Sequence, residues 1–167
     1  TQIAPPIQGI VTTLLHRFFA EVPSGFDFRG ASLGNLVLTG AYLEHHRRMD
    51  PTAALFSRLV KTEGAARLIV DQNLHLGARL QNGEVVLGQH RMTGKETAPL
   101  ASPIAELFIN RGLEQEMRAE ATAKRRIRDL IETTGLIVYA PGSFYTSLLA
   151  NLLPTGVTES ICRNPKA

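Results

Sequence analysis

The sequence predicts an α/β fold with a mostly parallel sheet and a small antiparallel hairpin, on the basis of three observations. Residues 136–139, Leu-Ile-Val-Tyr, are apolar without alternation, as expected of a strand buried on both faces of a parallel sheet. Several segments repeat apolar residues at the spacing of amphipathic helices. Asn82-Gly83 separates two alternating stretches, which is a strong signal for a β-hairpin.

The composition is that of one globular domain. The chain has 167 residues, of which 44% are hydrophobic and 20% are charged, so residues 1–167 can bury a core as a single domain. No run approaches the ~20 apolar residues of a membrane span, and the start, Thr1-Gln2-Ile3, does not resemble a signal peptide. The lone Cys162 agrees with a reducing compartment. We therefore expect a cytoplasmic protein that has no membrane partner.

The net charge of +3 is too mild to indicate nucleic acid by itself, although it suits an anionic small ligand. A basic patch of Lys124, Arg125, Arg126 and Arg128 follows Glu114, Glu116 and Glu120 at helical spacings. We interpret them as a solvated, internally paired helix face rather than a nucleic-acid surface. The predicted partner is a small molecule. The sequence leaves the oligomeric state open, and a homo-oligomer is compatible with it.

Three helices are predicted in the first third of the chain. The first runs from Ile7 to about Glu21, the second follows the cap Ser32 and ends near Arg48, and Asp50-Pro51 opens the third. Gly34 and Asn35, in the first turn of the second helix, are poor helix formers. Either something approaches them closely or Gly34 lets a neighbouring element pack, and the spacing leaves both readings open.

The middle of the chain mixes strands and helices. Residues 67–70 are predicted as a short strand, and residues 74–80 and 85–87 as the two strands of the hairpin. Residues 104–109 are apolar, of a type that the pattern does not decide. A helix is predicted over 113–132, and another short helix begins at Thr158.

The Pro-Gly-Ser loop, residues 141–143, is the predicted site. Pro141 and Gly142 stop the strand 136–139, and Ser143 can cap a helix whose core face is Leu148, Leu149, Leu152 and Leu153. Ligands of open α/β sheets bind at the carboxyl ends of strands, and a helix N-terminus offers an anion free N–H groups. A serine nucleophile would need a base and an orienting group, which nothing in the sequence assigns. We therefore predict no catalytic residue.

The visible strands are few, and none follows the last helix. We therefore expect the chain to be a fragment of a larger α/β domain, with strands missing before Thr1 and after Ala167.

Three segments in order resemble a known superfamily: Gly-Asn-Leu at 34–36, Leu-Gln-Asn-Gly-Glu-Val-Val-Leu-Gly-Gln-His at 80–90, and Pro-Gly-Ser-Phe-Tyr-Thr-Ser at 141–147. The chain resembles the superfamily containing 2-phospho-L-lactate transferase (CofD) and the gluconeogenesis factor proteins. The resemblance implies a Rossmann-like, three-layer α/β sandwich that binds a nucleotide-containing ligand. Family members begin with a Gly-Gly-Thr-Gly phosphate loop, which residues 1–167 do not contain. Any magnesium site would therefore lie in residues outside this chain.

The loop distinguishes two branches of that superfamily. The transferase branch makes a precursor of a deazaflavin coenzyme with magnesium and usually has a Pro-Ser-Asn-Pro type of loop. The gluconeogenesis factor branch, which resembles nucleotide-sugar binders affecting carbon metabolism and cell-wall supply, has Pro-Gly-Ser-Leu-Tyr-Thr-Ser and then Pro-Asn-Leu-Leu. Here Ala150-Asn151-Leu152-Leu153 follows the Pro-Gly-Ser segment, so the chain is nearer the second branch.

The resemblance implies which residues line the ligand: Gly34, Asn35, Gly142, Ser143, Tyr145 and Thr146, with Arg29 as a weaker candidate that could equally be a surface residue. The expected function is binding of a nucleotide or nucleotide-sugar, with a regulatory role in carbon or cell-wall metabolism. The alternatives are a magnesium-dependent transferase of the 2-phospho-L-lactate type and a scaffold whose loop only caps a helix.

Overall fold

The computed structural model describes residues 5–93 and 98–166 and confirms a mixed α/β fold. The chain divides into two compact units, Thr1–Asp71 and Gln72–Ala167. The single domain over 1–167 stays a prediction. No helix in the described ranges is long and apolar enough to cross a membrane.

The first unit consists of the three predicted helices: α1 (Pro5–Glu21), α2 (Leu33–Glu44) and α3 (Met49–Leu59). Buried Leu14, Val37 and Ala41 form its core. Gly40 fixes the crossing of α1 and α2, because a Cβ at this position would lie only 1.9 Å from the Leu14 carbonyl oxygen. Helix packing at this crossing therefore requires glycine.

The ends of α2 and α3 differ slightly from the prediction. Helix α2 ends at Glu44 rather than near Arg48, because His46 and Arg47 adopt φ values of 53° and 59°. Helix α3 begins at Met49, with Asp50 in its first turn, where a negative charge is favourable.

The predicted strand at 67–70 is wrong for the described chain. These residues have no regular secondary structure, and none of the described strands pairs with them. A strand needs a hydrogen-bonded neighbour, which sequence pattern alone does not provide.

The second unit is built on a three-stranded antiparallel sheet of order β2-β1-β3, with β1 (His75–Leu80), β2 (Val85–Leu87) and β3 (Ile104–Asn110). Ala78 of β1 lies opposite Val86 on one side and opposite Leu107 on the other. The hairpin prediction is confirmed: the Leu80 N–H donates to the Glu84 carbonyl oxygen at 2.8 Å, and Gly83 takes a φ of +87°. The undecided segment 104–109 is strand β3.

Five helical segments complete the second unit within the described ranges. They are α4 (Gln89–Met92), α5 (Arg125–Thr133), α6 (Ala150–Leu152) and α7 (Val157–Arg163), and a π-helical segment, Phe144–Leu149, leads directly into α6. We call residues 144–152 the loop helix. The short helix predicted from Thr158 is α7.

The predicted helix over 113–132 is wrong in its first half, because α5 begins only at Arg125. The side chain of Asn110, which is fully buried, shapes residues 110–117 into a loop. Its Nδ2 donates to the carbonyl oxygens of Gly112 and Gln115 at 2.9 and 2.8 Å, and its Oδ1 accepts from the Met117 N–H at 2.6 Å. These tertiary bonds outweigh the helical periodicity, which is a weak determinant by comparison.

Glu116, one of the three glutamates predicted to pair along a helix, instead forms ion pairs on the surface of the sheet. Glu116 accepts hydrogen bonds from Arg79 at 2.8 Å and from Arg118 at 2.9 Å, and Arg118 also binds Glu106 at 2.6 Å. These arginines hold the pKa values of Glu106 and Glu116 below their usual range.

The sheet of the described residues is antiparallel, so the mostly parallel sheet is not seen in this chain. Residues 136–139 belong to no strand, and the exposed fractions of Leu136, Val138 and Tyr139 are 75%, 72% and 54%. The expectation that both of their faces are buried is therefore wrong for residues 1–167. The physical reason is that no described residue offers this segment a neighbouring strand.

Candidate functional site

The Pro-Gly-Ser loop connects the exposed segment 136–140 to the loop helix. Ser143 is the N-cap, as predicted, and its Oγ accepts a hydrogen bond from the Thr146 N–H at 3.3 Å. The Ser143 carbonyl oxygen accepts from the N–H groups of both Ser147 and Leu148, at 2.9 and 3.1 Å. The bond from Leu148 spans five residues, as in a π-helix, so the first turn is wider than an α-helical turn.

Four consecutive backbone N–H groups are free at the loop. Within the described ranges, Gly142, Ser143, Phe144 and Tyr145 donate no backbone hydrogen bond. All four residues are exposed, and they stand at the N-terminus of the nine-residue loop helix. Free N–H groups and the positive end of the helix dipole favour an anion here.

The loop lies in a stretch without charge, because residues 133–158 contain no Asp, Glu, Lys or Arg. This segment itself can therefore offer an anion only backbone N–H groups and uncharged side chains such as hydroxyl groups. Thr146 is the least accessible of the predicted contacts, since only 7% of it is exposed. The other three, Gly142, Ser143 and Tyr145, are all exposed.

Glycine at position 142 is not required by the local fold. Its φ lies outside the left-handed region, and a Cβ would meet the Cβ and Oγ of Ser147 at 3.4 and 3.5 Å, which is ordinary contact. The missing side chain instead leaves the space in front of Ser147 unfilled.

Two residues that the sequence reasoning did not select lie behind the loop. Ser147 faces Gly142, and Asn151 Nδ2 donates to the Ser147 carbonyl oxygen at 2.6 Å. Both line a cavity of about 340 Å³ together with Tyr139 and Pro141. Their sequence signal is a pair of polar residues four positions apart in a mostly apolar helix.

In the first unit, Gly34 and Asn35 share the first turn of α2. A Cβ on Gly34 would meet Ser32 Oγ at 3.5 Å and Phe56 Cζ at 4.0 Å, so packing does not require glycine there. This geometry contrasts with that of Gly40, and the ligand contact of Gly34 stays a prediction. Asn35 is exposed. Its carbonyl oxygen accepts a hydrogen bond from Thr39 Oγ1 at 2.8 Å, and its side chain forms no hydrogen bond with another described residue.

Arg29 precedes α2 and is bound to a neighbouring carboxylate. Its Nε and Nη2 donate to Asp27 at 2.9 and 2.7 Å, and its backbone N–H donates to the same carboxylate at 2.9 Å. These bonds hold the pKa of Asp27 below its usual range. Arg29 is 92% exposed and already neutralised, so an anionic ligand would compete with Asp27 for it.

The site residues do not form a magnesium site by themselves. The segment 133–158 has no carboxylate, and no group of three or more His, Cys, Asp or Glu in the described ranges could hold a metal ion. The expectation that magnesium would be bound through residues outside this chain stays a prediction.

A known family matches almost the whole chain. Residues 8–167 match the family described as 2-phospho-L-lactate transferase CofD.

Curated relatives include the gluconeogenesis factors of Listeria monocytogenes, 31% identical over 137 residues, and of Bacillus subtilis, 29% identical over 157 residues. The putative gluconeogenesis factor of Thermotoga maritima is 27% identical over 135 residues. The matches cover 81%, 90% and 81% of this chain and 38%, 42% and 38% of these relatives, respectively. The chain thus spans about two fifths of their length.

Two crystal structures of the UPF0052 family protein BH3568 from Bacillus halodurans share the fold, each with a TM-score of 0.66. Their sequence identities to this chain are 24% and 23%. Each comparison covers 99% of this chain and 47% of the solved chain.

Proposed function

The chain belongs to the CofD family, and from that membership we propose that it binds a nucleotide-containing ligand whose phosphate contacts the Pro-Gly-Ser loop. The observation that carries the proposal is the run of four consecutive unpartnered N–H groups on the exposed residues Gly142 to Tyr145. The cap formed by Ser143 holds these groups at one helix end, where an anion is favoured.

The role is that of a nucleotide or nucleotide-sugar binding protein with a regulatory function in carbon or cell-wall metabolism. Two observations support this branch of the family. The curated relatives bear the name gluconeogenesis factor, and the loop of this chain reads Pro-Gly-Ser rather than Pro-Ser-Asn-Pro. The ligand candidates Gly34, Asn35 and Arg29 of the first unit belong to the same proposal. The lone Cys162 supports a cytoplasmic location.

The finer architecture is a Rossmann-like domain of which residues 1–167 are a part. In it, residues 136–139 form a strand between neighbours that this chain does not contain. The exposure of this apolar segment supports this arrangement, as does the loop helix, which has apolar residues on all sides. The relatives are more than twice as long as the matched region, so they have room for the missing strands.

Calorimetry of the full-length protein tests the ligand proposal, with uridine and guanosine diphosphates and their sugar conjugates as probes. At least one of them should bind, and Gly142→Ala should weaken that binding about tenfold or more, or 1.4 kcal/mol, because the added methyl group narrows the space that a phosphate needs at the loop. Gly135→Ala is the matched control, because a Cβ there has no neighbour within 4 Å. The absence of binding at millimolar ligand would refute the proposal.

The second candidate function is transfer of a phospholactyl-type group, the activity that the family description names. Magnesium would then come with ligands outside residues 1–167. The test is magnesium-dependent transfer to a deazaflavin acceptor, beside an active control enzyme. If the control turns over and this protein does not, the second candidate is removed.

A further inference from the structure

The outer edge of β3 is only half occupied. At its carboxyl end, the Ala119 N–H donates to the Ile109 carbonyl oxygen, and the Arg111 N–H donates to the Met117 carbonyl oxygen, both at 2.9 Å. Alternate residues of a strand point their backbone groups to the same edge, so those of Leu107 point the same way as those of Ile109. Among the described residues, none forms a backbone hydrogen bond with Leu107 on that side.

An apolar groove runs beside this free edge. It has a volume of about 260 Å³ and lies between residues 104–107 and one face of the loop helix with the segment that follows. That face consists of Tyr145, Leu149, Leu152 and Leu153, at the spacing i, i+4, i+7 and i+8 of a single helical stripe. Tyr145 is 39% exposed, and the three leucines are half-buried. A stripe of this kind normally packs against another element.

We propose that an extended segment, supplied by the part of the full-length protein outside residues 1–167, adds to the free half of β3 as a further strand. Its main chain hydrogen-bonds to Leu107, and every second side chain enters the groove beside Tyr145 and Leu149. This is strand addition, in which backbone bonds give affinity and alternate side chains give selectivity.

The occupant follows from two observations. Chain that could supply such a segment exists in the curated relatives, since the matched regions are only 38% to 42% of their length. The added strand also continues an edge that already accepts residues 117–119.

A second copy of this chain is disfavoured by charge. Two β3 strands that paired antiparallel through their free halves, centred on residue 106, would set Glu106 opposite its own copy. Like charges directly opposite each other destabilise a strand pair. The inference does not depend on the proposed ligand.

Residue-resolved hydrogen exchange of the full-length protein tests this inference. The Leu107 amide should exchange about as slowly as that of Phe108, which lies opposite Gly77 inside the sheet, and its rate should not depend on protein concentration. Fast exchange at Leu107 beside slow exchange at Phe108 would overturn the proposal. Protection that appears only at high concentration would also overturn it, because the occupant would then be a second copy.

A pair of variants probes the groove directly. Leu149→Asp should speed exchange of the Leu107 amide at least about tenfold while the Phe108 amide stays slow. Ser147→Asp places the same charge on the same helix, at an exposed position outside this groove, so it should leave Leu107 protected. Equal effects of the two variants would contradict the proposal. If Leu149→Asp does not fold, the exchange rates of the Leu107 and Phe108 amides in the unaltered protein still test the proposal.

Discussion

Alanine at Gly34 and at Gly40 should have opposite effects, although both glycines lie on α2. At Gly34 a Cβ finds only ordinary contacts, at 3.5 and 4.0 Å, and φ is normal, so alanine should raise the free energy of unfolding by up to about 0.5–1 kcal/mol. At Gly40 a Cβ would lie 1.9 Å from the Leu14 carbonyl oxygen, and α1 would have to move. Overpacking of this kind costs about 1–3 kcal/mol.

The assay is urea unfolding of both variants, paired with nucleotide calorimetry on the full-length protein. Gly34→Ala should be at least as stable as the unaltered protein yet bind the nucleotide more weakly, since the added methyl group blocks close approach. A stable Gly34→Ala variant with unchanged affinity would remove Gly34 from the ligand contacts. Destabilisation by Gly34→Ala, or a neutral Gly40→Ala, would refute the packing argument itself.

Three further predictions concern the second unit. Asn110→Ala should lower the free energy of unfolding in urea by about 1–3 kcal/mol, because three backbone groups of the 110–117 loop lose their hydrogen-bond partner. Arg118 lowers the pKa values of Glu106 and Glu116 in the folded protein. The two carboxylates therefore stabilise the fold fully above the pKa of an unperturbed glutamate, about 4.3, and this stabilisation is lost as the pH falls below that value. Arg118→Met should flatten that acid dependence in unfolding measured from about pH 3 to 6; an unchanged slope would count against the ion pairs. Ser143→Ala should cost about 1 kcal/mol in thermal unfolding through loss of the cap, and Ser143→Asp, which can also cap, should recover most of it.

Elements that are determined locally could be predicted from the sequence. Helix α1 has a complete apolar stripe with a proline beyond its end, and the hairpin has Asn82-Gly83 between alternating strands. The cap at Ser143 was equally visible, because a serine directly before an apolar helix has few other roles. In each case the residues that decide the structure are neighbours along the chain.

Elements that depend on distant partners could not be predicted. Residues 113–124 have a helical pattern, but the buried side chain of Asn110 and the ion pairs of Arg118 draw them to β3. Residues 136–139 have the composition of a buried strand, yet pattern cannot supply a neighbouring strand. At the site, the sequence resemblance selected Gly142 as a ligand contact. Ser147 and Asn151 were recognised only from their positions beside Gly142 in the structure.

The most direct test of phosphate binding at the Pro-Gly-Ser loop is the amide NMR spectrum of the full-length protein during titration with a nucleoside diphosphate. Binding at the loop predicts that the amide resonances of Gly142, Ser143, Phe144 and Tyr145 shift together and saturate with one dissociation constant. The amides of Gly83 and Asn82, at the hairpin turn, should stay in place. Saturable binding that leaves the four loop amides unmoved would contradict the account.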